Sequence, residues 1–185
     1  MDFLKLAEKR QSTRSYTETH VEKEKIEKCI EAARLAPSAC NSQPWTFIVV
    51  DDKEKVEKIR NAVIDRKVQI NKFASKTAVF VVIVLEKSNI LARFGAEVKK
   101  REFRLIDIGI AAEHFCLQAT ELELGTCLIG WFNEQKVKEA LDIPEKKRVA
   151  LVITVGYPPE GYKLRKKKRK DKSKMCYYNS YGESK

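Results

Sequence analysis

A chain of 185 residues with 43% hydrophobic and 34% charged residues is long enough for one domain with a buried core and too apolar for disorder throughout. Its longest unbroken apolar run, Ala78 to Leu85, falls far short of the roughly 20 residues a membrane helix needs, and the N-terminus MDFLKLAEKR carries no apolar leader region, so the cytoplasm is the expected compartment. The net charge of +11 divides unevenly: residues 163–174, KLRKKKRKDKSK, hold nine Lys or Arg against Asp171, a balance of +8 that leaves +3 for everything else.

Phe3, Leu6 and Ala7, with Arg10 after them, predict a short first helix. Thr19 and Glu22 form a Thr-x-x-Glu capping box opening a second helix, with Ile26, Cys29, Ile30 and Ala33 as its apolar stripe. It should end near Ala36, because Pro37 cannot continue the hydrogen-bond ladder and pushes its predecessor out of the α region. Thr46 to Val50 is apolar on both faces and predicts a buried strand; residues 51–67 predict an amphipathic helix, and 78–85 a central strand.

From about Lys99 to Leu124 a long helix is expected, with Phe103, Ile106, Ile110, Leu117 and Leu124 on its stripe and Gly109 in its interior. That glycine costs about 1 kcal/mol, offset by a plain helix crossing or by close approach of a backbone or flat ligand. Gly125 suits the C-cap, residues 126–132 a short strand or turn, Asn133 the cap of a helix over 133–141, and 148–158 a last core strand. With no repeat or interdomain linker, the order of elements predicts one α/β domain over 1–185, ending in the basic segment 163–174.

The five cysteines, Cys29, Cys40, Cys116, Cys127 and Cys176, make no CxxC pair, and only His20 and His114 could join them, so no metal site is expected. They read as free thiols that mostly fill core space, with Cys40 the candidate for exposure. Four segments are too polar or too small for pure scaffold. Arg10, Ser12 and Arg14 alternate along a chain leaving a helix, a set that suits a phosphate dianion, although taken alone the pattern reads first as a solvated charged turn. The others are LAPSACNSQPW at 35–45, residues 107–112 with GTCLIGWF at 125–132, and the basic segment.

Taken in order, RxSxR, APSACNSQPWTF, DIGIAAEHF leading into ELGT, IGWF, and VGYP followed by a KxRK-type tail resemble the FMN-dependent nitroreductase family over nearly the whole chain. The resemblance implies an α+β sandwich, a mixed and mainly antiparallel sheet flanked by helices, in an intertwined homodimer with FMN at the interface. It implies that Arg10 and Ser12 hold the phosphate and ribityl end, and that Arg14 sits near N1 and the C2 carbonyl of the ring. Pro37, Ser38, Ala39 and Asn41 would reach the partner's flavin, with Gln43 adding an amide contact. Ile129 and Gly130 would present a backbone N–H to N5, and Lys167 and Arg169 would close on the phosphate. Two departures stand out: Glu113 and His114 replace the Gln-Asn of many relatives, and Glu123 replaces a glycine.

The activity implied is hydride transfer in two steps through flavin N5, from NAD(P)H and then to a nitroaromatic, quinone or related acceptor, with no catalytic side chain required. A flavin enzyme of the same fold acting on one specific metabolite is the alternative. A nucleic-acid-binding module using residues 163–174 is a third reading, because lysine-rich tails bind phosphate backbones by counterion release.

Overall fold

The computed structural model describes residues 2–65, 67–89, 92 and 101–182. Four strands, β1 (Trp45–Val50), β2 (Val79–Leu85), β3 (Gly125–Ile129) and β4 (Arg148–Gly156), form an antiparallel sheet in the spatial order β1-β2-β4-β3. Helices α1 (Phe3–Lys9), α2 (Lys23–Arg34), α3 (Lys53–Val63), α4 (Phe103–Glu121) and α5 (Glu134–Ala140) surround it. The fold is α+β, and the sheet gains a parallel contact where Ser12 bridges Thr126.

All seven residues of β2 are buried because the strand is covered on both faces. Val79, Val81, Ile83 and Leu85 point to α2 and α4, into a core with Ile26, Cys29, Ile108 and Phe115. Phe80, Val82 and Val84 point to α3 and α5, into a second core with Ile59, Val63 and Val137. Each such side chain contributes roughly 1.5–3 kcal/mol by leaving water, so this strand anchors both layers.

Several local expectations are corrected by long-range contacts. No capping box forms at Thr19 and Glu22: the Thr19 hydroxyl accepts a bond from Thr17, and the Glu22 carboxylate accepts the Tyr157 hydroxyl at 2.5 Å beside Lys25 at 3.4 Å. The phenol just past β4 outcompetes the box because it also ties α2 to the sheet. Asp52 caps α3 by accepting the Lys55 N–H at 3.0 Å, and the helix stops at Val63, short of residue 67, where the chain turns through an Asp65–Ile70 bridge. The end of α2 at Arg34 and the Asn133 cap of α5, on Lys136 N–H at 3.0 Å, agree with expectation.

The long helix begins at Phe103; Lys99 and Lys100 lie outside the described residues. Its inward face is Ile108, Ala111, Ala112, Phe115, Cys116 and Ala119, whereas Ile106 of the expected stripe is 56% exposed. Apolar residues occupy both sides of α4, so period alone could not choose; the alanines admit α2 closely. A Cβ at Gly109 would meet nothing within 4 Å, so the expected compensating contact is not made among the described residues.

Nor is Gly125 the C-cap. Leu124 N–H reaches Ala119 C=O at 2.8 Å and Glu123 N–H reaches Thr120 C=O at 3.2 Å, a Schellman closure in which Glu123 takes the left-handed position at φ 64. Gly125 opens β3 instead. Cys29, Cys116 and Cys127 are buried, Cys40 and Cys176 exposed. Among the described residues no helix is long and apolar enough to cross a membrane.

Candidate functional site

After α1 the chain runs along the outer edge of β3, where Thr13 N–H donates to Thr126 C=O at 2.8 Å. Gly125 makes this approach feasible, since a Cβ there would stand 2.6 Å from Thr13 Oγ1. Tyr16 fastens the segment from beneath: its buried hydroxyl donates to Thr13 C=O at 2.9 Å and shares a 2.7 Å bond with Thr154 Oγ1, and burial pushes its pKa up. Arg10, Ser12 and Arg14 are thereby held beside the strand that ends at Ile129, just before Gly130.

The basic tail then lies against this segment. Gln11 Oε1 accepts the Arg165 N–H at 3.2 Å, the Tyr162 hydroxyl accepts the Arg14 N–H at 3.0 Å, and the Arg165 guanidinium donates to the Ser12 carbonyl. Lys167 Nζ donates to the carbonyls of Ala7, at 2.7 Å, and Glu8, completing the C-terminal end of α1, where a cation is favoured. It is half-buried in a segment whose neighbours are exposed.

Arg10, Lys167 and Arg169 form one positive cluster. Burial, then the charges of Arg10 and Arg169, lower the Lys167 pKa, while Glu8 and Glu113 pull the other way. Arg10 Nε is 2.9 Å from Glu113 Oε1 on α4. Burial raises the Cys127 pKa, and the Arg14 charge and the Ser12 hydroxyl oppose this. Guanidinium and ammonium groups of this kind, with a hydroxyl on the same segment as Arg10, are the donor types that hold a phosphate.

Arg14 diverges from that cluster, its guanidinium carbon 5.9 Å from the Phe73 ring centroid. Next to Phe73, the Asn71 amide donates to Val63 C=O at 3.0 Å and Trp131 C=O at 2.9 Å, fixing the loop that follows Gly130. Ile129 is buried, Gly130 is exposed, and a Cβ on Gly130 would meet nothing within 4 Å. A cleft of about 780 Å³ opens beside this loop, between Asp65, Lys67, Trp131 and Lys136. Sequence reasoning missed Gln11, Asn71, Phe73, Tyr162 and Arg165; the left-handed Asn71 at φ 61 is the one with a local signal, because Asn is among the few non-glycine residues that adopt that conformation readily.

Pro37, Ser38, Ala39, Asn41 and Gln43 form a separate locus. Cys40, Asn41 and Gln43 all have positive φ, at 51, 51 and 45, a conformation costing a non-glycine residue about 1–2 kcal/mol. The polar residues of this run hold it there. Ser38 Oγ accepts Gln43 N–H at 2.9 Å, Ser42 Oγ accepts Asn89 N–H at 2.9 Å, Asn89 donates to Cys40 C=O at 2.8 Å, and Gln43 donates to Asn41 Oδ1 at 3.0 Å. Asp107 on α4 accepts Ala39 N–H at 3.1 Å. Asp107 and Glu113 are separated by about 9 Å along α4, and among the described residues no hydrogen bond or ion pair joins this turn to the Arg10 cluster. His114 Nδ1 faces Ala32 C=O at 3.3 Å, so it donates to α2.

Comparison with known proteins adds to this geometry. The model described as the nitroreductase family matches residues 7–157. A Streptococcus pyogenes protein with a provisional NAD(P)H nitroreductase name is 32% identical over 192 aligned positions, covering 89% of this chain and 96% of that protein. The solved structure of an FMN-dependent nitroreductase from Clostridium difficile is 31% identical, with a TM-score of 0.76 and coverage of 97% of this chain and 100% of that one. An iodotyrosine deiodinase from Haliscomenobacter hydrossis is 24% identical and covers 93% of this chain and 86% of that protein. The chain belongs to the nitroreductase family of oxidoreductase enzymes.

Proposed function

We propose that the protein is an FMN-dependent NAD(P)H oxidoreductase, one domain per subunit of a cytoplasmic homodimer, that reduces nitroaromatic, quinone or related small acceptors. The observation that carries this reading is that the tail brings Lys167 back to the end of α1, where the charges of Arg10 and Arg169 act on it, while the Ser12 segment that follows lies along the edge of β3. That donor set fits the phosphate end of FMN, and the exposed Gly130, with no atom within 4 Å of its Cβ position, fits the approach of a flat ring. Bound FMN would supply the hydride chemistry between NAD(P)H and acceptor.

The chain's own work is binding, orientation and charge. Arg10, Ser12, Lys167 and Arg169 hold the phosphate and ribityl end; Arg14 places a fixed positive charge toward the pyrimidine side, favouring negative charge there. Ile129 and Gly130 offer backbone to the ring. The turn of Pro37, Ser38, Ala39, Asn41 and Gln43 serves the site of a second copy, which accounts for its separation from the Arg10 cluster. Support for that copy comes from α4, where Leu105 and Ile106 are 38% and 56% exposed beside Gly109.

Purified protein should be yellow or take up FMN, bleach when NADH or NADPH is added without oxygen, and regain colour with an acceptor. Failure to bind FMN would remove this reading. The deiodinase relative favours a second one, reduction of a specific halogenated or other aromatic metabolite in place of nitro compounds and quinones. Screening acceptors against the reduced protein separates the two. Tight nucleic-acid binding by flavin-free protein, with no bleaching, would instead favour a role for the exposed lysines of 163–174.

A further inference from the structure

Arg10 is engaged by a carboxylate of its own chain. Its Nε lies 2.9 Å from Glu113 Oε1, with the two side chains 26% and 39% exposed. The contact joins the charges without the angle of a hydrogen bond: Arg10 Nε is buried and finds no hydrogen-bond acceptor among the described residues. Glu113 therefore cancels charge on the guanidinium without saturating its donor fork. The same carboxylate acts on Lys167, raising its pKa against the effect of Arg10 and Arg169. Glu113 thus faces two members of the cluster, one from the end of α1 and one from the tail.

A phosphate dianion entering this cluster meets three cations and, at Arg10, an anion already in place. We infer that Glu113 is an internal competitor for the phosphate at Arg10, lowering the affinity for phosphate-bearing flavin and making that ligand exchangeable. The inference rests on the FMN reading above and adds to it a residue that sets how tightly the phosphate end is held. The carboxylate leaves the pair only at an electrostatic cost, and if it stays it repels the incoming dianion; both effects weaken with salt. Its direction is opposite to that of Arg10, Lys167 and Arg169.

The test compares flavin-free wild type with Glu113→Gln, which keeps the size and polarity of the side chain, and with Glu113→Ala in case the glutamine variant misfolds. FMN and riboflavin are titrated separately, followed by flavin fluorescence at two salt concentrations. The expected result is a roughly tenfold lower Kd and a slower release of FMN at low salt, a smaller gain at high salt, and unchanged riboflavin affinity. Equal FMN affinity in wild type and variants, or an equal gain for FMN and riboflavin, would overturn the inference while leaving the FMN reading intact. Absence of binding of either flavin to all three proteins would overturn both.

Discussion

Asp107 Oδ1, on the inner side of α4, accepts the backbone N–H of Ala39 at 3.1 Å and so ties the left-handed turn to the longest helix. Its Oδ2 is buried without a hydrogen-bond partner among the described residues. Burial raises the Asp107 pKa, and the Ala39 N–H opposes this. A folded-state pKa above the unfolded one means that the folded protein holds the proton more tightly; the penalty is absent below the ordinary carboxylate value and grows as pH rises through the folded value. Asp107→Asn, which keeps an acceptor and removes the charge, should therefore gain stability relative to wild type as pH rises. Asp107→Leu leaves the Ala39 N–H unpaired and should cost about 1–3 kcal/mol. Urea unfolding at acid and neutral pH measures both.

Glu123 closes α4 at φ 64, a position glycine occupies without steric cost. Glu123→Gly should stabilise the protein by about 1 kcal/mol, a rise in Tm of roughly 2–4 °C for a chain of this size. A thermal melt checks it. Unchanged or lower Tm would mean that the glutamate makes a compensating contact.

Gly125→Ala should do the reverse. Its Cβ would lie 2.6–2.8 Å from three atoms of the Thr13 side chain, so the segment carrying Arg10, Ser12 and Arg14 must shift away from β3. The expected loss is about 1–3 kcal/mol, with weaker FMN retention. Adding Thr13→Ala removes Oγ1 and Cγ2 and should restore part of the stability. Unfolding curves and FMN titration of the single and double variants read this.

Lys147 approaches the Glu86 carboxylate closely, and Thr46 Oγ1 donates to it at 3.0 Å. The Lys147 hydrogen bond, opposed by burial, holds the Glu86 pKa below its ordinary value. A depressed folded pKa stabilises the protein above the unfolded value, and that contribution is lost as pH falls through the folded value. Glu86→Gln should cost about 0.5–1 kcal/mol at neutral pH and nothing once the carboxylate is protonated in both states. The difference in unfolding midpoint against pH checks the sign.

The misjudged elements share a cause. At Thr19 and Glu22 the local pattern was sound, but Tyr157, 135 residues from Glu22, took the carboxylate. On α4 both sides were apolar, and only α2 and the sheet decided that Ile108 and Phe115 turn inward while Ile106 turns out. At 123–125 glycine is the usual residue for a helix end, but the close approach of Thr13 to Gly125 holds that glycine in β3 and leaves Glu123 in the left-handed position.

Much was determined by sequence alone, wherever the cause lies within a few residues. Pro37 stops α2 by its missing N–H, Asn133 caps α5 with its own side chain, and the β-branched run of β2 demands cover on both faces. The ordered motifs also carried the family. What only the tertiary structure decided is which distant groups meet: Arg165 with Ser12, Lys167 with the end of α1, and above all Arg10 with Glu113. Charge and hydrogen-bonding capacity are properties of a residue, but their partners are set by packing, and it is packing that places Glu113 of α4 against Arg10.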